Sequence, residues 1–225
     1  MSTIDLIVNF FKQGGAFLYP IAAVFAIGLG VAVERFIYLT RVSFGNRRLW
    51  AELSPLIQAG NFRKAMEVAE RTDSALSTIM RYGMSRVATA QRRDDVEKAM
   101  EESLIEVIPH LEKRTHYLAT LANIGMLMGL LGTVIGLIQA FAAVAAVNPA
   151  EKASMLSASI SVAMNNTALG LGLAITLLLC HMYLETKTTE LVDSLEVASI
   201  KFLNTVVEHR TRSPQTVTSA AQAAS

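Results

Sequence analysis

Charge is missing from three long parts of this chain. Residues 14–33, 115–150 and 153–184 contain no Asp, Glu, Lys or Arg. Each reaches the roughly 20 residues that a helix needs to cross a hydrocarbon core about 30 Å thick. The expected fold class is therefore an all-α integral membrane protein with three transmembrane helices and long cytoplasmic helical extensions. Cysteine is also scarce. Cys180 is the single one, which excludes an internal disulfide and a thiol-rich metal site. A net charge of only +1 gives no electrostatic case for nucleic-acid binding. No P-loop, H-E-x-x-H or C-x-x-C motif occurs, and the glycines of the second stretch follow no expected strand, so a dinucleotide fingerprint is excluded. These absences point away from an enzyme: no catalytic residue, metal ligand or cofactor is expected.

What is present is apolar surface framing one charged block. Hydrophobic residues make up 52% of the chain and mean hydropathy is +0.39, a balance that suits burial in lipid rather than a soluble core. Arg35, Arg41, Arg47 and Arg48 follow the first stretch, and Lys113 and Arg114 precede the second. The link between the second and third stretches offers only Lys152. By the positive-inside rule the long block and the C-terminus are cytoplasmic and the N-terminus periplasmic, in a bacterial inner membrane. Lys12 is the only cation before the first stretch, which favours a retained span over a cleaved signal.

Patterning then divides the chain. Residues 1–13 read as an interfacial amphipathic helix, hinged at Gly14-Gly15. Residues 14–40 form transmembrane helix 1 and its cytoplasmic end, and 41–114 a cytoplasmic helical region. Within that region one helix covers 46–59 and stops at Gly60-Asn61, which caps another over 62–71. A third covers 74–89, and Asp94 with Glu97 predicts a capping box opening a fourth. Val96, Met100, Leu104, Val107, Ile108 and Leu111 follow at helical spacing and are expected to run, bent at Pro109, straight into the second span. Transmembrane helices 2 and 3 occupy 115–150 and 151–184. A cytoplasmic C-terminal helix follows over 185–210, and its near-heptad Leu184, Leu191, Leu195, Ala198 and Phe202 could pack on copies of the chain or on its own bundle. Residues 211–225 are expected to be a disordered tail.

The polar groups inside the spans are few and placed on small-residue faces. At 100° per residue, Met126, Gly129, Thr133, Gly136 and Ala140 share a stripe, and Ile160, Ala163, Thr167, Gly170 and Ala174 share another. Ser161, Asn165 and Asn166 lie near the second. Gly125/Gly129 and Gly132/Gly136 have the spacing that lets helices approach closely in lipid. Such stripes read equally as helix–helix seams or as the wall of a polar path, with Thr133 and Thr167 offering hydroxyls to water or an ion. Gly129, Gly136, Ser161, Ala163, Asn165, Asn166 and Gly170 are the accompanying pore-lining candidates. Hydroxyls and amides orient a proton but do not store one near neutral pH. If the chain works on a proton gradient, another subunit must bring the titrating group. His181 with Glu185 one turn on, and on the Thr167 face, is a candidate cytoplasmic exit or else an interfacial anchor.

Three segments resemble one family in order. Gly14-Gly15-Ala16-Phe17-Leu18-Tyr19-Pro20 leading to Glu34-Arg35-Phe36-Ile37-Tyr38-Leu39 is similar to a first span of ExbB type. Gly129-Leu130-Leu131-Gly132-Thr133-Val134-Ile135-Gly136 with Gln139-Ala140-Phe141 resembles the second-span motif, and Asn166-Thr167-Ala168-Leu169-Gly170-Leu171 the third. The chain resembles the MotA/TolQ/ExbB proton-channel family, nearer ExbB and TolQ because MotA has a fourth span.

That resemblance implies a ring, expected as a pentamer, around two copies of a single-span partner of ExbD/TolR type whose membrane aspartate carries the ion. Ion flow would drive motion that works on a TonB/TolA-like protein across the envelope. Thr133 and Thr167 match the family's two pore threonines. The ion expected is a proton, with sodium kept open by the amide-rich Asn165-Asn166. One departure stands out: the glutamate common five residues before the third-span threonine is Val162 here. A relay through a carboxylate of this subunit is therefore excluded, and a non-conducting membrane scaffold is the alternative reading.

Overall fold

The structure is a computed structural model that describes residues 17–87, 92–145 and 148–222, with side chains through residue 209. The described residues form six helices: α1 (Leu18–Gln58), α2 (Phe62–Glu70), α3 (Ala75–Val87), α4 (Arg93–Glu112), α5 (Thr115–Ala145) and α6 (Lys152–Gln222). Three stretches, Leu18–Gln58, Arg93–Ala145 and Lys152–His209, are long and apolar enough to cross a membrane. The expected interfacial helix over 1–13, and the Gly14-Gly15 hinge, lie outside the described residues.

The chain divides into two compact units. One holds the residues up to Phe36 together with Arg114–Glu185, and the other Ile37–Lys113 with Thr186–Ser225. The first unit is apolar and contains most of the three charge-free stretches. Gly28 on α1 faces Leu177 on α6: a methyl added at Gly28 would lie 2.7 Å from a Leu177 terminal carbon. Phe36 and Tyr183 set their rings 6.1 Å apart. At the same end Arg35 is only 4% exposed and its Nε donates to Thr115 Oγ1 at 3.2 Å. Beside it Arg114 Nη1 meets Glu34 Oε1 at 2.6 Å. Both pairs tie α1 to α5 across 80 positions of sequence.

The second unit is a helical bundle with its own core. Phe202 is fully buried and lies edge-on to Phe62, with Gly83 and Met100 against it. Leu191, Leu195, Ala198 and Phe202 are buried inside the chain, so the heptad-like stripe packs on its own bundle. Asn46 Oδ1 accepts from the Leu76 N–H at 3.2 Å and helps cap α3. Gly60 takes φ +72°, where no Cβ penalty arises, and Asn61 Oδ1 accepts from the Lys64 N–H as α2 begins.

Four expectations need correction. The helix over 46–59 is not separate, because α1 runs without a break to Gln58. No glycine or positive φ interrupts it until Gly60. The capping carboxylate of α4 is Asp95, whose Oδ2 accepts from the Arg92 N–H at 3.1 Å, not Glu97. Asp95 is the third residue of the helix as it starts at Arg93, and Glu97 instead lies 3.6 Å from Arg93. The helix does not pass into the second span through a bend at Pro109. It ends at Glu112, and Arg114 has φ +70° before α5 begins. A left-handed arginine costs about 1–2 kcal/mol, which the Glu34 contact helps offset. Finally, the backbone is helical as far as Gln222, over most of the stretch expected to be disordered. Once nucleated, a helix extends at small cost per residue.

Candidate functional site

The first unit carries nearly every residue singled out in the spans. α5 and α6 are antiparallel and meet along their glycines. A methyl at Gly129 would stand 3.0 Å from the Asn166 carbonyl oxygen and from the Gly170 Cα, and one at Gly170 2.8 Å from the Gly125 carbonyl and the Gly129 Cα. Further along, Gly132 faces the Asn166 side chain and Gly136 faces Ala163. Backbones this close are possible only where no side chain intervenes. Gly129, Ala163 and Gly170 are buried against the facing helix of the same chain. The small-residue faces therefore make the α5–α6 seam, the alternative that their spacing also allowed, and Gly136 joins them there. In this packing these four surfaces are occupied by the chain itself and are not open as pore wall.

The two threonines sit at the edge of that seam. Thr133 Oγ1 donates to the Leu130 carbonyl at 2.6 Å, within its own helix. Thr167 Oγ1 crosses from α6 and donates to the Gly129 carbonyl at 3.0 Å. The acceptors are consecutive on α5, so one stretch of backbone holds both hydroxyls. In an α-helix the Gly129 carbonyl also receives the Thr133 N–H. Each hydroxyl has one hydrogen and has used it, leaving oxygen lone pairs to accept from water, or to ligate a cation.

The remaining candidates separate. Asn166 is 4% exposed, and its Oδ1 has no hydrogen-bond partner. Asn165 and Val162 are half-buried, and Ser161 is exposed. His181 Nδ1 and Glu185 Oε2 lie 3.6 Å apart, so the two groups predicted to share a face do so. Their separation is that of a contact which charges would strengthen, longer than a hydrogen bond. His181 is mostly buried and Glu185 mostly exposed. Sequence reasoning missed the Arg35–Thr115 and Glu34–Arg114 pairs and the meeting of Gly132 with Asn166. The charges were visible, but partners 80 residues away carry no local signal. Among the described residues no group of three or more His, Cys, Asp or Glu side chains could hold a metal.

A model of the MotA/TolQ/ExbB proton channel family matches residues 71–197, a span that includes both threonines and the whole seam. A biopolymer transport protein ExbB homolog of Methanothermobacter thermautotrophicus is 28% identical over 202 residues, covering 86% of this chain and 71% of the relative.

Proposed function

Because the chain belongs to the MotA/TolQ/ExbB proton channel family, a family of multi-pass membrane proteins, we propose that it is the ion-channel and motor subunit of an ExbB/ExbD- or TolQ/TolR-like complex. In this reading several copies, expected as five, form a ring in the cytoplasmic membrane with the N-terminus outside and the C-terminus inside. A single-span partner, expected in two copies, brings the aspartate that carries the ion. Membrane potential then moves that ion along the ring, and the resulting motion does work across the envelope, for example on a TonB/TolA-like protein.

The observation that carries this reading is the pair of threonine hydroxyls bonded to the consecutive carbonyls of Leu130 and Gly129. Both face apolar surroundings in stretches without a single carboxylate. Held in place and with free lone pairs, they are suited to receive a proton donor or an ion but not to store a proton. That division of labour requires the titrating group to arrive on another chain. Val162 in place of a glutamate strengthens the requirement, since this subunit supplies no carboxylate of its own there. His181 and Glu185 are the candidate inner exit. Neutral oxygen ligands suit sodium as well as a proton path, and the proton is the expected ion.

The test is flux in proteoliposomes holding this chain with its single-span partner, under imposed proton or sodium gradients. Flux that requires the partner and both threonines supports the channel reading and identifies the ion. No flux, even with a partner from which any plug has been removed, would favour a non-conducting scaffold.

A further inference from the structure

Asn166 is the one polar side chain in the α5–α6 seam whose needs the chain does not meet. It is 4% exposed, and its Oδ1 is buried without a hydrogen-bond partner. Its Cβ and Nδ2 press on Gly132, where an added methyl would lie 3.1 and 3.3 Å from them. Nearby hydroxyls cannot serve it. Thr133, Thr167 and Thr176 donate to the carbonyls of Leu130, Gly129 and Gly172, so none has a hydrogen left for an amide oxygen. Leaving such an acceptor dry is among the costlier things a fold can do, and it calls for an explanation at the site.

We propose that Asn166 marks a hydration site inside the seam, where a water molecule donates to Oδ1, admitted when α5 and α6 ease apart around Gly129 and Gly132. The ligand is a neutral hydrogen-bond donor. One amide oxygen with one neighbouring hydroxyl is far short of the roughly six oxygens that a dehydrated hard cation takes. Water fits the chemistry: a buried water needs two to four polar partners. Asn166 Oδ1 and the free lone pairs of Thr167, one residue on, can accept both of its hydrogens. The seam can admit it because its contacts are glycine faces and a single crossing hydrogen bond, not interlocked large side chains. The dry packing bears the cost of the orphan oxygen, and the hydrated packing bears a little lost contact, so the two lie close in free energy. This claim stands apart from the channel reading, while its use in conduction, wetting the path beside Thr167, rests on that reading.

The test is solid-state NMR of the full chain in lipid bilayers with asparagine and threonine labelled, reading magnetisation transferred from water. The Asn166 side-chain signal, identified by its loss in Asn166→Ala, is expected to receive polarisation from water. Absence of transfer to it, while Asn61 at the start of α2 is polarised, would overturn the proposal. In Asn166→Leu, which fills the space with carbon, transfer to Thr167 is expected to fall. If Thr167 stays as wet as in the wild type, Asn166 does not hold the water and the proposal fails. Should the leucine variant not assemble, Asn166→Ala gives the same reading at Thr167. A complex that conducts no ion would sink the channel reading and leave this measurement intact.

Discussion

Thr167 reaches across from α6 and gives its hydroxyl hydrogen to the carbonyl of Gly129, 3.0 Å away and 38 positions earlier in the chain. Four residues on from Gly129, Thr133 binds the next carbonyl along. One threonine thus joins two helices and the other only decorates its own.

That difference predicts separable effects. Thr133→Val removes a bond inside one helix and should leave thermal stability nearly unchanged. Thr167→Val removes an interhelical bond and should lower stability by about 0.6 kcal/mol, the average for such bonds in membranes. Both should abolish partner-dependent flux, and Thr167→Ser should restore it. Thermal unfolding in detergent beside liposome flux checks all three. Equal flux in wild type and Thr133→Val would return that residue to a structural role.

The seam predicts an ordering among glycines. Gly170→Ala and Gly129→Ala would push a methyl against backbone atoms at 2.8 and 3.0 Å, which cannot move without parting the helices. Each should cost about 1–3 kcal/mol, as for overpacked cores. Gly125→Ala and Gly28→Ala meet only leucine side-chain ends and should cost less. Gly172→Ala meets open space in the chain and should be near neutral in the dissociated subunit. Unfolding midpoints of the five variants would reveal a wrong ordering directly.

Glu34 and Arg114 are each about half exposed. Glu34→Gln should therefore destabilise by no more than about 1 kcal/mol, and the loss should shrink as salt is raised. A loss that is larger and insensitive to salt would mean that the pair is shielded in the assembled protein.

In the second unit, Asn61→Ala should cost about 1 kcal/mol through its lost cap on α2. Gly60→Ala should cost a similar amount or more, because φ +72° disfavours a Cβ and the His209 ring stands 3.1 Å away. His209 Nε2 also lies 2.9 Å from the Gln58 carbonyl. Protease sensitivity of the 58–62 segment would report both changes, and unchanged cleavage would contradict them.

The sequence by itself determined the class, the spans and the pair of threonines. Hydrophobic length and missing charge are local properties, and lipid leaves a buried backbone few choices besides a helix. Gly60-Asn61 was legible for the same reason, since a left-handed glycine and an N-cap are set by neighbours in sequence. Tertiary structure decided what faced what. Glycine stripes on α5 and α6 fit a seam or a pore equally well until Gly129 is found against Gly170 and Gly136 against Ala163. Arg114 carries no mark of a positive φ in its own sequence, because the strain is accepted in exchange for contacts such as Glu34, 80 residues away. Asn166 looked like one polar residue among several, and only packing against Gly132 leaves its oxygen unmet. Periodicity tells which residues share a face, whereas the neighbour that covers the face is chosen by long-range packing.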